Sequence, residues 1–152
     1  MMYHPFLFSL IGMLLASCTD GTVFHNYKPL PKEGWERCDT VCFDLPEVKE
    51  DISGTLIIGL RTAAHLGYRD IVLAVEQAGE AGEICRCDTI HYALVDAEGN
   101  ALNKGVNYHQ YESLHLPFHM KKGHRATVRI HHLMRHEVMP GITEIGIRLC
   151  TP

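Results

Sequence analysis

Six short runs of this chain place apolar residues at every second position, and that period decides most of what it can fold into. They are Val41, Phe43, Leu45; Leu56, Ile58, Leu60; Ile71, Leu73, Val75; Ile90, Tyr92, Leu94; Ala126, Val128, Ile130; and Ile145, Ile147, Leu149. Alternation of this kind marks strands with one buried face, and turn chemistry separates the runs at Asp96-Ala-Glu-Gly99, Lys121-Lys-Gly123 and Pro140-Gly141. Gly99 and Gly141 are expected to serve turns that need positive φ or close backbone approach. Only Arg61–Tyr68 and Val75–Ile84 avoid strong β character, and glycines interrupt both, so any helix should be a short connector. The expected fold is all-β: a single antiparallel β-sandwich, jelly-roll or immunoglobulin-like, of about eight strands. Its two sheets pack about 10 Å apart, which leaves loops and outer sheet faces to carry function.

The N-terminal segment follows other rules. Phe6 to Leu15 is apolar but far short of the roughly 20 residues that a spanning helix requires, and it is followed by Leu15-Ala16-Ser17-Cys18. A cysteine after two small residues and a leucine is where bacterial lipoproteins are cut and acylated. Residues 1–17 therefore read as a lipoprotein signal peptide, although they hold no Lys or Arg, and Cys18 as the lipidation site. A diacylglyceryl group and an N-acyl chain such as palmitate anchor a protein durably, at about 0.8 kcal/mol per buried CH₂. Residues 18–34, polar and broken by Pro29 and Pro31, read as a flexible tether with a reach of roughly 50 Å, and residues 35–152 as the sandwich, opening on Trp35, the single tryptophan.

Removing residues 1–17 from 152 leaves 135, enough for one domain with a proper core. The formal charge is -4 and no basic block occurs, which argues against DNA or RNA as a partner. With Cys18 acylated, Cys38, Cys42, Cys85, Cys87 and Cys150 remain, an odd number that cannot all pair within one chain; their connectivity stays open.

Candidate chemistry is sparse. Cys38-x-x-x-Cys42 and Cys85-Arg-Cys87 supply four thiols, and they would converge if their strands were neighbours. The spacing is poor for zinc, so buried or disulfide-bonded cysteines are the preferred reading and no metal or other cofactor is expected. His115 with His119 and His131-His132 with His136 lack the helix and glutamate of a metalloprotease site, Pro117 lies inside the first pair, and these read as surface histidines, with His131 and His132 on opposite faces. No G-x-S-x-G, P-loop or G-x-G-x-x-G occurs, and nothing brings Asp88 and Asp96 together as a hydrolytic pair, so no catalytic residue is assigned and the chain is not expected to be an enzyme. Arg61 and Arg135 each follow an apolar residue near a strand end, with Asp88 and Asp96 as candidate partners in ion pairs that close the sandwich. Tyr92, Tyr108 and Tyr111 support a second reading, a glycan or small-ligand site built on exposed aromatics.

The stretch from His132 to Arg148 resembles the end of the GldH family of gliding-motility lipoproteins from Bacteroidetes: Met134-Arg135, Gly141-Ile142 and Glu144-Ile-Gly-Ile147 match its pattern. Upstream, Tyr27-Lys-Pro-Leu-Pro31, Gly34-Trp35, Phe43, Leu60-Arg61, Tyr68-Arg-Asp-Ile71, Asp88-Thr89 and Leu94-Val-Asp-Ala-Glu-Gly99 follow in the family's order. The chain departs from that pattern after Gly99, with Ala101, Asn103 and Lys104 before Gly105. The resemblance implies a non-catalytic envelope lipoprotein, held to the membrane by its lipid and binding other envelope, motility or secretion proteins. Thr19-Asp20-Gly21, after the anchor, hold one acidic residue and no run like a strong surface-export signal, which favours the periplasmic face of the outer membrane and leaves cell-surface display as the alternative.

Overall fold

The computed structural model describes residues 21–152 apart from Lys104 and Val106, so the signal segment and Cys18 lie outside the described residues. Eleven strands and no helix appear among the described residues: β1 (Thr22–Pro29), β2 (Trp35–Glu36), β3 (Val41–Leu45), β4 (Ile52–Ala63), β5 (Asp70–Ala78), β6 (Ile84–Ala93), β7 (Tyr108–Glu112), β8 (Leu116–Met120), β9 (Ala126–His132), β10 (Val138–Met139) and β11 (Ile142–Cys150). The larger sheet runs β1-β11-β4-β7, with β8 also on β4; the smaller runs β3-β9-β5-β6; β2 and β10 form a separate pair. All pairings are antiparallel.

β4, twelve residues long, organises the larger sheet. One edge pairs with β11, and the other is shared end to end by β8, against Ile52–Leu56, and β7, against Gly59–Ala63. Ser113 fills the junction, since its hydroxyl accepts from the Ile58 amide at 2.9 Å and its own amide donates to the Ile58 carbonyl. That carbonyl also accepts from the Tyr92 hydroxyl of β6 at 2.7 Å, a buried bond between the two sheets.

Each of the six alternating runs turns its matched parity inward. Phe43, Leu56, Ile58, Leu73, Ile130 and Ile147 are among the residues closed off from solvent, and Trp35 packs with them. The turns at Gly99 and Gly141 carry φ of 91° and 86°, backbone that a side chain would strain.

Three expectations need correction. The sandwich has eleven strands rather than about eight, because β1, β7, β8 and the short β2 and β10 carry too little alternation to stand out. The flexible tether at residues 18–34 is also wrong for about half of its length: Thr22–Pro29 hydrogen-bond along β11, so the folded domain starts before Trp35. Pro29 is tolerated because it closes an edge strand, where a missing N–H costs no ladder bond.

The third correction is His132, which is core rather than surface at 1 % exposure. It follows Val128 and Ile130 in parity on β9, while its neighbour His131 faces the other way. Its ring stands edge-on to Trp35 at 5.4 Å between centroids, and Nε2 lies 3.2 Å from the Trp35 carbonyl. A carbonyl only accepts, so the proton sits on Nε2, and Nδ1 is left as a buried acceptor without a partner. Burial pushes the imidazole pKa below its ordinary value; the Trp35 carbonyl and Glu137 oppose that, while Arg37 and His131 reinforce it.

A folded-state pKa below the unfolded value means that the unfolded chain takes up the proton first. Neutral His132 should therefore contribute its stability fully above about pH 6.5 and lose it as pH falls through that value toward the folded one. Urea denaturation across this range should give a steeper loss for the wild type than for His132→Leu, whose side chain neither titrates nor leaves an orphan acceptor. Equal slopes for the two proteins would contradict the assignment.

Candidate functional site

The inward alternation of β4 and β11 fixes what their other faces show. With Leu56, Ile58, Leu60 and Ile145, Ile147, Leu149 pointing in, the outer face receives Ile57, Gly59, Arg61 from β4 and Glu144, Gly146, Arg148 from β11. Register aligns these into rows across four strands. Tyr27 of β1, Gly146, Gly59 and Glu112 of β7 form one row; Pro29, Glu144, Arg61 and Gln110 form the next.

Two glycines side by side leave a trough in the sheet, and the Tyr27 ring lies in it. A Cβ on Gly146 would come within 2.6 Å of three Tyr27 ring carbons, and one on Gly59 would strike the phenol end. Over the ring stands the Arg61 guanidinium, 3.9 Å from its centroid and 5.3 Å from that of Tyr108. Arg61 donates from Nη1 to Glu144 Oε2 at 2.6 Å and from Nε to Gln110 Oε1 at 3.2 Å. Arg148 pairs with Glu112 at 2.9 Å, and His25 meets Tyr27 edge-on at 5.6 Å.

The electrostatics follow from this packing. Partial burial raises the Tyr27 phenol pKa, with the nearby Arg61 charge working against the rise, so the ring stays neutral. The hydrogen bond to Glu144 raises the pKa of Arg61. An isolated surface ion pair is worth little, about 0–1 kcal/mol, because two long side chains must be ordered to form it. Here stacking on Tyr27 and the bond to Gln110 already fix Arg61, so the guanidinium is presented in one orientation. Tyr108 remains 46 % exposed beside it. The face thus offers flat aromatic area beside donors held in fixed directions.

The residues singled out from sequence divide. Arg61 sits at the centre of this face, but its partners are Glu144 and Gln110, and neither Asp88 nor Asp96 touches it. Asp88 holds Arg86 of the same strand in a two-pronged bond at 2.6 and 2.8 Å. Asp96 caps its own turn, accepting from the Asn100 amide and side chain, which lowers its pKa. The arginine bound to that turn is Arg69, on the Asp96 and Ala97 carbonyls. Arg135 is exposed between β9 and β10 and makes no ion pair among the described residues.

Other candidates disperse too. Tyr92 and Tyr111 are buried, with Tyr111 donating to the Leu94 carbonyl, so of the three proposed sugar-binding aromatics only Tyr108 is exposed. The five cysteines carry free thiols and are exposed or half-buried rather than buried or bridged. Cys42 on β3 and Cys85-Arg-Cys87 on β6 belong to opposite edges of the smaller sheet, with β9 and β5 between, so four thiols do not converge. Cys38 lies outside β3 and donates to Glu36, which raises its pKa and holds it as a thiol.

Tyr27 and Glu144 were missed as site residues. Their signal is the pair of glycines at outward positions of two strands that are otherwise apolar or charged there, a gap that some side chain must fill.

The profile of one family, described as GldH lipoprotein, matches residues 22–149. No curated protein matches the chain. Among solved structures, a CocE/NonD family hydrolase from Staphylococcus aureus superposes with a TM-score of 0.44 and 10% identity, covering 87% of this chain and 34% of its own. The chain thus spans about a third of that hydrolase. The Eiger TNF of S. frugiperda gives a TM-score of 0.31 and 14% identity, covering 68% of this chain and 62% of its own. Likeness of that degree carries neither protein's activity to this one.

The trough has a direct test. Gly146→Ala should displace the Tyr27 ring and cost about 1–3 kcal/mol in chemical denaturation, the usual range for overpacking. In a Tyr27→Ala background the same change should cost much less, because the nearest atoms the new methyl meets all belong to that ring. Additive losses would show that the trough is not what seats Tyr27.

Proposed function

We propose, from the premise that the match over residues 22–149 establishes, namely that this chain belongs to the GldH lipoprotein family, that it is a membrane-anchored envelope lipoprotein without catalytic activity that binds other proteins of the gliding and secretion apparatus through the outer face of its larger sheet. The observation that carries the choice of face is the Tyr27–Arg61–Tyr108 stack. Tyrosine and arginine are the side chains that most often dominate protein interfaces, and here they are ordered in advance by Glu144, Gln110 and the glycine trough, which lowers the entropy that binding must overcome. The Leu15-Ala16-Ser17-Cys18 sequence supplies the anchor. The periplasmic face of the outer membrane is the location that agrees with a lipid-held partner of envelope machinery.

Affinity capture of the full-length protein from membranes of its host tests both parts. Wild type should be membrane-bound and bring down motility or secretion components; Cys18→Ala should be soluble and lose them. An anchored Arg61→Ala, Tyr108→Ala double variant should stay in the membrane yet recover its partners at least about tenfold less well, the equivalent of roughly 1.4 kcal/mol. A soluble wild type would remove the anchor, and undiminished capture by the double variant would move binding off this face.

A further inference from the structure

We propose that two copies of this chain join through β6, antiparallel and two-fold about Cys87, so that their smaller sheets run on into one. This goes beyond the partner binding above and uses the opposite sheet.

β6 is the exposed edge of the smaller sheet. It pairs with β5 alone, and no further backbone hydrogen bond among the described residues reaches Cys85–Thr89. Natural edges are usually guarded by charged side chains, proline, bulges or a covering element. The far edge of the same sheet has such a guard: Lys28 of β1 reaches over Phe43 and donates to the Cys42 carbonyl of β3 at 2.6 Å. β6 has no lysine, proline or covering strand; its protection is the Arg86–Asp88 pair and the bulge at Cys85, and apolar residues collect along it. Ile84 is 55%, Leu102 53% and Leu114 87% exposed, and the last two line a groove with Thr89–Ala93 of the strand.

Charge picks both the occupant and the register. A two-fold axis normal to the sheet must run midway between one residue of β6 and its own copy, because residues directly opposite in an antiparallel pair share a face. Centred on Arg86 or on Asp88, the pairing sets like charges against each other. Centred on Cys87, it sets Arg86 of each copy against Asp88 of the other, where opposite charges stabilise a cross-strand pair. Within one copy Arg86 and Asp88 already bond to each other on the same face, so the dimer holds a closed ring of four alternating charges. The bulge at Cys85 and the 102–103 loop beside Thr89 confine the regular pairing to Arg86–Asp88. So short a contact is below the size of a stable interface in free solution, but lipid-anchored copies share a plane and meet at a far higher effective concentration. Cys87 then faces its own counterpart across the axis, with Cα atoms about 4.5–5.5 Å apart.

A short-spacer bismaleimide added to membranes containing the full-length lipidated protein reads this geometry. Wild type should give a covalent dimer that disappears in Cys87→Ser. Asp88→Arg should reduce the dimer at least tenfold, and the double swap Arg86→Asp, Asp88→Arg, which restores the opposite-charge pairing, should bring it back; recovery in the swap separates lost association from lost folding. The proposal is overturned by a wild type that stays monomeric, by crosslinks that survive Cys87→Ser, or by a dimer indifferent to Asp88→Arg.

Discussion

The pairing of β4 with β11 is the interaction on which the rest of this molecule depends. Its eight aligned residue pairs place Leu56, Ile58 and Leu60 beside Leu149, Ile147 and Ile145 on the inside, and in the same stroke set Gly59 beside Gly146 and Arg61 beside Glu144 on the outside. Core and candidate site are two faces of one register. A slip by one residue would bury the charges and expose the isoleucines, so selection for a packed interior also holds the outer rows in place. Everything else attaches to this pair: β1 on one side, β7 and β8 on the other, and the second sheet across the core.

How far the sequence reveals this depends on burial. Strands with one face sealed advertise themselves, and β3, β4, β5, β6, β9 and β11 all carry the alternation that burial requires. β1 does not, because as an edge strand it exposes most of its residues, and Pro29 and Pro31 at its end look like the punctuation of a linker. β7 and β8 are short, and Pro117 lies inside the latter. His132 was legible by parity with Val128 and Ile130, yet its residue type pointed to the surface. For the site, Arg61 was recognisable as a stem on apolar surface with a polar head. Its partners were not, since Glu144 is 83 residues away and only the β4–β11 register brings the two together.

The two sheets present different chemistry to the outside. On the larger, the arginines are matched one to one by carboxylates and the aromatics are seated, so the face is ordered before anything binds. On the smaller, Cys42, Cys85 and Cys87 remain as thiols and Arg129 reaches Glu76 only at 3.9 Å. The larger sheet thus carries an ordered aromatic and charged face, and the smaller carries thiols at both of its edges.

The membership of β1 in the larger sheet changes the mechanics of the anchor. A free tether from Cys18 to Trp35 would let the domain wander through a wide hemisphere above the lipid. With Thr22 already locked to β11, a lipid on Cys18, as proposed above, would leave only the links from Cys18 to Thr22, a leash of roughly 14 Å at full extension. On so short a leash the sandwich would not tumble freely, and the end of the larger sheet at Thr22 and Cys150 would stay near the headgroups. Its orientation on the membrane, and with it the direction from which a partner would approach, would then be set by where the first strand begins.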